Sequence, residues 1–174
     1  MKLEELADWL SSQFLILVDS IERNVLLKLR SEFSLLFRKW FSVLVSEDSL
    51  DSQIDENFTP IILQNDAEMD YSFLSGGERT AVALAYRLAL NQTINSFLSK
   101  IKTRGIIILD EPTEGFSETQ IEKMRDILEE LKSEQLIIVS HEQKIEGFVD
   151  NIIRISKENE TTIVNHVTQI NQKT

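Results

Sequence analysis

Leu74-Ser75-Gly76-Gly77-Glu78 opens a long helical pattern with a hydroxyl, two glycines and an acid. Glycines let a backbone approach a ligand closely, and a helix start offers unpaired N–H groups at the positive end of its dipole. With the Ser75 hydroxyl added, such a cluster suits a phosphate oxygen; the plainer alternative is a Ser-capped helix after a turn. Further on, Ile106-Ile107-Ile108-Leu109 runs into Asp110-Glu111-Pro112-Thr113. An apolar strand ending in two acids puts them at the carboxyl edge of a parallel sheet, where ligands bind in open α/β folds. One carboxylate there can hold Mg²⁺, directly or through water, while the next orients and deprotonates an attacking water. A solvated acidic turn is the alternative. Pro112 gives Glu111 a restricted, extended backbone. A third run, Ile137-Ile138-Val139, ends in Ser140-His141-Glu142. An imidazole at that edge can hydrogen-bond a γ-phosphate or the attacking water, or can serve as a structural strand-end histidine. His166 has no such setting and is assigned nothing.

The elements that must position these groups follow from the apolar pattern. Residues 1 to about 45 contain no Gly and no Pro. Leu3, Ala7, Leu10, Phe14, Leu17 and Ile21 step by four and three, the seam of a coiled coil. The stripe then shifts to Leu26, Leu29, Phe33, Leu36 and Trp40, so the helix turns a new face inward or breaks near Asn24. Ser46 to Glu56, rich in Ser, Asp and Glu, reads as a loop. Phe58 to Gln64 and Met69 to Phe73 read as short strands about an Asn65-Asp66 turn, the first being an edge strand or beginning at Pro60. Gly77 to about Leu98 reads as a helix. Three strands follow, over Gly105–Leu109, Leu136–Val139 and Ile152–Ile155. The first two are continuous and β-branched, as parallel strands covered on both faces are. Glu118 to Leu131 forms the crossover helix between them. Thr161 to Val167 adds a last antiparallel strand.

Composition bounds the function. The 174 residues suit one domain with a real core. A net charge of −11 argues against a surface-wide basic nucleic-acid binder, although 18 Lys and Arg leave room for a local patch. No cysteine is present, which removes disulfides, zinc–cysteine sites and a catalytic thiol together. No signal-peptide pattern and no apolar run of membrane-spanning length occurs. The simplest reading is a soluble, intracellular protein, cytoplasmic or nucleoid-associated.

In order and together, the three motifs resemble the C-terminal portion of an ABC-type nucleotide-binding domain, from about Phe58 to Ile155. The run LSGGERTAVALAYRLAL, Leu74 to Leu90, looks like the DNA double-strand break repair ATPases of the Rad-fifty/SbcC family. So does Asp-Glu-Pro-Thr, because SMC heads usually lack Pro-Thr there. No G-x-x-x-x-G-K-[ST] occurs, so nothing in these residues cradles the β-phosphate of its own nucleotide. The resemblance implies an α/β fold: the C-terminal lobe of an ABC-type ATPase head with a mainly parallel sheet flanked by helices. It is preceded by a coiled-coil stem base, residues 1–45 being stem and 46–174 lobe. The chain is read as the C-terminal segment of such a protein, separated from its N-terminal lobe and beginning within the stem.

Roles carry over residue by residue as what the resemblance implies. Leu74, Ser75, Gly76, Gly77 and Glu78 are the signature loop, which grips in trans the γ-phosphate of ATP held by an opposite head. Asp110 supports Mg²⁺, Glu111 is the catalytic acid–base group, and His141 is the switch histidine. Glu114-Gly115-Phe116-Ser117 is the D-loop, with Ser117 where the family has Asp; Ser117 can still cap the next helix. Arg79 and Arg87 couple nucleotide binding to lobe rotation, or are solvated arginines. Phe14, Leu17, Phe37 and Trp40 mark excess apolar surface on the stem, a partner surface or a seam packed on the lobe beneath. The implied cofactors are ATP and Mg²⁺. The implied partners are the N-terminal ATPase lobe, a second head, a Mre-eleven/SbcD-type nuclease at the stem base, and DNA. Weaker readings are an SMC-type head, a transporter nucleotide domain, and a non-catalytic interaction module whose acids solvate a turn.

Overall fold

The computed structural model describes residues 2–45, 50–97, 105–158 and 160–168. The helix end expected at Leu98 and the first part of the loop expected from Ser46 lie outside these residues. Helix α1 (Leu3–Trp9) and helix α2 (Leu15–Leu44) form one run, joined by a π-helical turn at Leu10–Phe14. The turn frees carbonyls from the ordinary ladder, and the Ser11 hydroxyl donates to the Ala7 carbonyl at 2.9 Å. No break occurs at Asn24. The change of stripe there is a change of face: the side chains from Ile21 to Lys28 are exposed, whereas Phe33, Phe37, Trp40, Phe41 and Leu44 are fully or almost fully buried.

Three antiparallel strands follow in the order β1 (Leu50–Ile54), β2 (Pro60–Gln64) and β3 (Ala67–Met69). The expected loop through Glu56 is therefore half strand. Leu50, Ser52 and Ile54 alternate inward, a period of two that the polar composition hides. Asp51, on the other face, accepts the Arg38 guanidinium of α2. The strand expected over Met69–Phe73 lies earlier, ending at Met69. Asp70 instead accepts from the Ser72 backbone N–H at 2.8 Å and starts a 3₁₀ turn at Tyr71–Phe73.

Helix α3 (Gly76–Phe97) presents Leu88 and the small Ala81, Ala85 and Ala89 to the core, and the alanines let it pack closely along α2. Tyr86 meets Phe33 edge to face, with ring centroids 4.9 Å apart, and donates its hydroxyl to the Phe58 carbonyl. Strand β4 (Ile106–Asp110), helix α4 (Glu118–Leu131) and strand β5 (Gln135–Val139) make the parallel crossover unit, with Asp110 opposite Val139. Strands β6 (Asn151–Glu158) and β7 (Thr161–Thr168) form an antiparallel hairpin. Sheets are thus mixed, with helices against them, and one cluster of buried residues runs from Phe33 through α3 to Ile107, Leu109 and Met124.

One expectation needs correcting. The parallel strands β4 and β5 are not covered on both faces: Ile107 and Leu109 are buried against the helices, but Ile106 is 54% and Ile108 66% exposed. Ile137 and Val139 of β5 are exposed too. The described residues supply helices for one side of this pair and leave the other bare. No helix among the described residues is long and apolar enough to cross a membrane.

Candidate active site

The carboxyl ends of β4 and β5 bring the acidic pair and the histidine together. Asp110 is the last residue of β4; it is exposed, with no hydrogen bond or ion pair among the described residues. Glu111 continues the ladder by one bond, its N–H donating to the Val139 carbonyl at 2.9 Å. Its φ is +44°, not the extended value expected before Pro112. The chain holds the ladder bond and must then reverse at once to bury Pro112 and Thr113, and the left-handed region meets both demands. Beyond β5, the Ser140 hydroxyl accepts from the Glu142 N–H and fixes the turn that carries His141.

His141 Nδ1 lies 2.9 Å from Glu111 Oε2. That oxygen has no well-aligned hydrogen bond, so the contact is one of proximity and becomes an ion pair when His141 is protonated. Each partner shifts the other. The imidazole holds the Glu111 carboxyl below its ordinary range, and the carboxylate holds the His141 imidazole above its own. A carboxylate kept charged beside an imidazole can accept a hydrogen bond from water and so orient it. Mg²⁺ fits this edge by donor chemistry: Asp110 offers an uncommitted carboxylate, and one protein carboxylate plus phosphate oxygens is the usual set for that ion. The described residues hold no cluster of three or more His, Cys, Asp or Glu that would bind a metal alone.

The glycine loop packs against a second segment, the loop after β4. Ser75 precedes α3 and forms a reciprocal cap: its N–H donates to Glu78 Oε2 at 2.6 Å, and its hydroxyl accepts from the Glu78 N–H at 3.3 Å. The Ser-capped helix start and the phosphate-suited loop are thus the same object. Because the hydroxyl acts as acceptor here, its proton stays available to a ligand. The first i to i−4 bond joins the Arg79 N–H to the Ser75 carbonyl, so Gly76 and Gly77 N–H precede the helical ladder. Space around Gly76 is open. Gly77 instead faces backbone: a Cβ there would stand 2.7 Å from the Gly115 carbonyl oxygen and 3.1 Å from Gln120 Oε1. Gly115 has φ +77°, which a glycine tolerates without strain.

Other expected residues separate. Arg79 is exposed and turns back to donate its Nε to the Leu74 carbonyl at 3.0 Å, bracing the signature loop. Arg87 is exposed and makes no hydrogen bond or ion pair among the described residues. Ser117 is the N-cap of α4, in a reciprocal cap with Gln120. Phe14 and Leu17 are exposed on the stem, but Phe37 and Trp40 are not a surface: both are fully buried in the core, and Trp40 donates its indole N–H to Gln92. Two participants, Thr80 and Gln120, were not foreseen from the sequence; with Gly115 of the expected D-loop they make the contact between loops, and Arg79, expected as a coupling residue, acts as a brace. A φ-positive glycine in a short loop and an S-x-x-Q cap were the available signals.

Residues 37–130 match the sequence profile of the SbcC/RAD50-like, Walker B motif family, more than half of the chain. The chain belongs to the SbcC/RAD50-like family. Its span in that match ends before His141, whose place therefore rests on the geometry at the strand edge. A DNA double-strand break repair Rad50 ATPase of Thermococcus kodakarensis is 37% identical over 105 residues, 59% of this chain and 11% of that protein. One from Methanocaldococcus jannaschii is 32% identical over 135 residues, 75% of this chain and 13% of that protein. The chain thus spans only a small part of the relatives' length. Among solved structures, the Smc head domain with a coiled coil and joint from Pyrococcus yayanosii superposes with a TM-score of 0.73. That match covers 95% of this chain and 32% of that one at 17% identity, a likeness of fold.

Proposed function

We propose that this chain is the C-terminal half of an ATP-hydrolysing head in a DNA double-strand break repair protein, active when paired with an N-terminal lobe that carries the phosphate loop. The observation that carries this reading is the His141–Glu111 contact at the carboxyl edge of the parallel strands, beside the free Asp110 carboxylate. In this reading Glu111 takes a proton from the attacking water and His141 donates to the γ-phosphate of ATP. Mg²⁺, when bound with the nucleotide, would neutralise charge on the phosphate oxygens, and Asp110 is the residue that would hold it. Ser75, Gly76 and Gly77 grip in trans the γ-phosphate bound by the opposite head. Arg79 and Arg87 take part in coupling nucleotide binding to movement of the lobe, Arg79 by bracing Leu74.

Residues 1–45 serve as the stem base and 46–174 as the lobe, although the last turns of α2 share the lobe's core. The bare face of β4 and β5, with Ile106, Ile108, Ile137 and Val139, suits the N-terminal lobe, since a parallel pair is ordinarily buried on both sides. Phe14 and Leu17 remain as stem residues for an opposite stem strand or a Mre-eleven/SbcD-type nuclease; DNA is the substrate of that assembly. Because a γ-phosphate contact exists in only one state, ATP shifts the heads between open and engaged forms. Reconstitution with a phosphate-loop lobe tests the reading: Mg²⁺-dependent ATP hydrolysis is expected from the pair, and its absence would leave only an interaction module.

A further inference from the structure

Ser75–Gly77 and Glu111 belong to one lobe but, on the reading above, serve two different ATP molecules. The lobe joins them by a short physical path. At the α3 end, the Thr80 hydroxyl donates to the Glu114 carbonyl at 2.7 Å, and the Gly77 backbone lies against that of Gly115. From there the path runs through two turn bonds, Phe116 N–H to Thr113 carbonyl at 2.9 Å and Glu114 N–H to Glu111 carbonyl at 3.4 Å. Gln120 closes the far side: its Oε1 accepts from the Ser117 N–H at 3.0 Å and stands beside Gly77. The contacts run from 2.7 to 3.4 Å and all but the Gln120 side chain's are made to backbone, so the loop from Glu111 to Ser117 and the first turn of α3 are tied by a continuous path.

We infer that Thr80 is a positioning residue: its hydrogen bond to the Glu114 carbonyl holds the loop that carries Glu111 in register with the Ser75–Gly77 grip, and so links the two nucleotide sites that one lobe serves. This rests on the ATP-sandwich reading for its consequence, but the link itself is a property of the lobe. Ser117 contributes only through the Gln120 cap. Thr80 acts through the Glu114 backbone.

The test uses the full chain paired with its phosphate-loop lobe, in Thr80→Val and Thr80→Ser forms. Valine keeps the branched shape and removes the donor; serine keeps the donor. Without nucleotide, exchange of the hydrogen-bonded amides of Glu78 and Arg79 and of Glu114, Phe116 and Ser117 should quicken together in Thr80→Val and return to wild-type rates in Thr80→Ser. With Mg²⁺ and ATP, Thr80→Val should lose roughly ten-fold in kcat while KM stays within about two-fold, because a misplaced group costs turnover more than binding. Thr80→Ala takes the place of valine if that variant does not fold. Unchanged exchange overturns the link. Quickened exchange with wild-type kcat overturns the positioning role. If the wild-type pair hydrolyses no ATP, the sandwich reading fails instead, and the exchange measurement alone decides the link.

Discussion

A Cβ on Gly77 would stand 2.7 Å from the carbonyl oxygen of Gly115, so the start of α3 meets the loop after β4 backbone against backbone. A side chain at either position must push the two apart. Gly115→Ala adds the burden of a φ of +77° and is expected to destabilise the chain by about 1–2 kcal/mol. Thermal denaturation should show a Tm lower by roughly 2–8 °C. Gly76→Ala is the control: its Cβ meets nothing within 4 Å, and its Tm should not fall. Equal losses in both variants would deny the contact.

The Glu111–His141 pair makes a pH prediction. The raised His141 pKa means that its contribution is present at lower pH and is lost as pH rises through the folded value. The lowered Glu111 pKa means that its contribution is present at higher pH and is lost as pH falls through the folded value. The pair is therefore intact in the window between these two titrations. By NMR, His141 should titrate above an ordinary solvent-exposed histidine, and Glu111→Gln should bring it down. An unmoved His141 titration would mean that the two side chains do not meet in solution.

Much of this arrangement was legible from residue types. The Ile-rich runs gave β4 and β5, Ser117 as a cap fits the start of α4 at Glu118, and Asp110, Glu111 and His141 met at one sheet edge. What escaped depended on partners distant in sequence. β1 looked like a loop because Asp51 and Ser52 dominate its composition, yet Asp51 is matched by Arg38 and Ser52 is buried. Phe37 and Trp40 looked like surplus apolar surface because α3, which covers them, lies some fifty residues on. The turn at Glu111 overrode the local preference set by Pro112, since a ladder bond to Val139 competes with it.

Burial separates the two halves of the stem experimentally. Phe37→Ala opens a cavity among Phe33, Phe41 and Tyr86 and is expected to cost about 3–5 kcal/mol in chemical denaturation. Leu17→Asp, on the exposed part, should leave the stability within about 0.5 kcal/mol. Similar losses would mean that the upper helix is packed within the chain.

The bare strand face yields a prediction about assembly. Ile108→Lys should change the stability of the isolated chain by no more than about 1 kcal/mol, because the side chain is already largely solvated. Co-purification with the phosphate-loop lobe should nevertheless be lost, since a buried ammonium in that interface has no partner. Retained pairing would place the lobe elsewhere.

The most direct test of the central claim is steady-state ATP hydrolysis by the chain paired with its phosphate-loop lobe, comparing wild type with Glu111→Gln. The variant is expected to bind ATP and keep the heads engaged, while turnover falls by roughly a hundred-fold or more, as removal of a general base does. Turnover at the wild-type rate would contradict it.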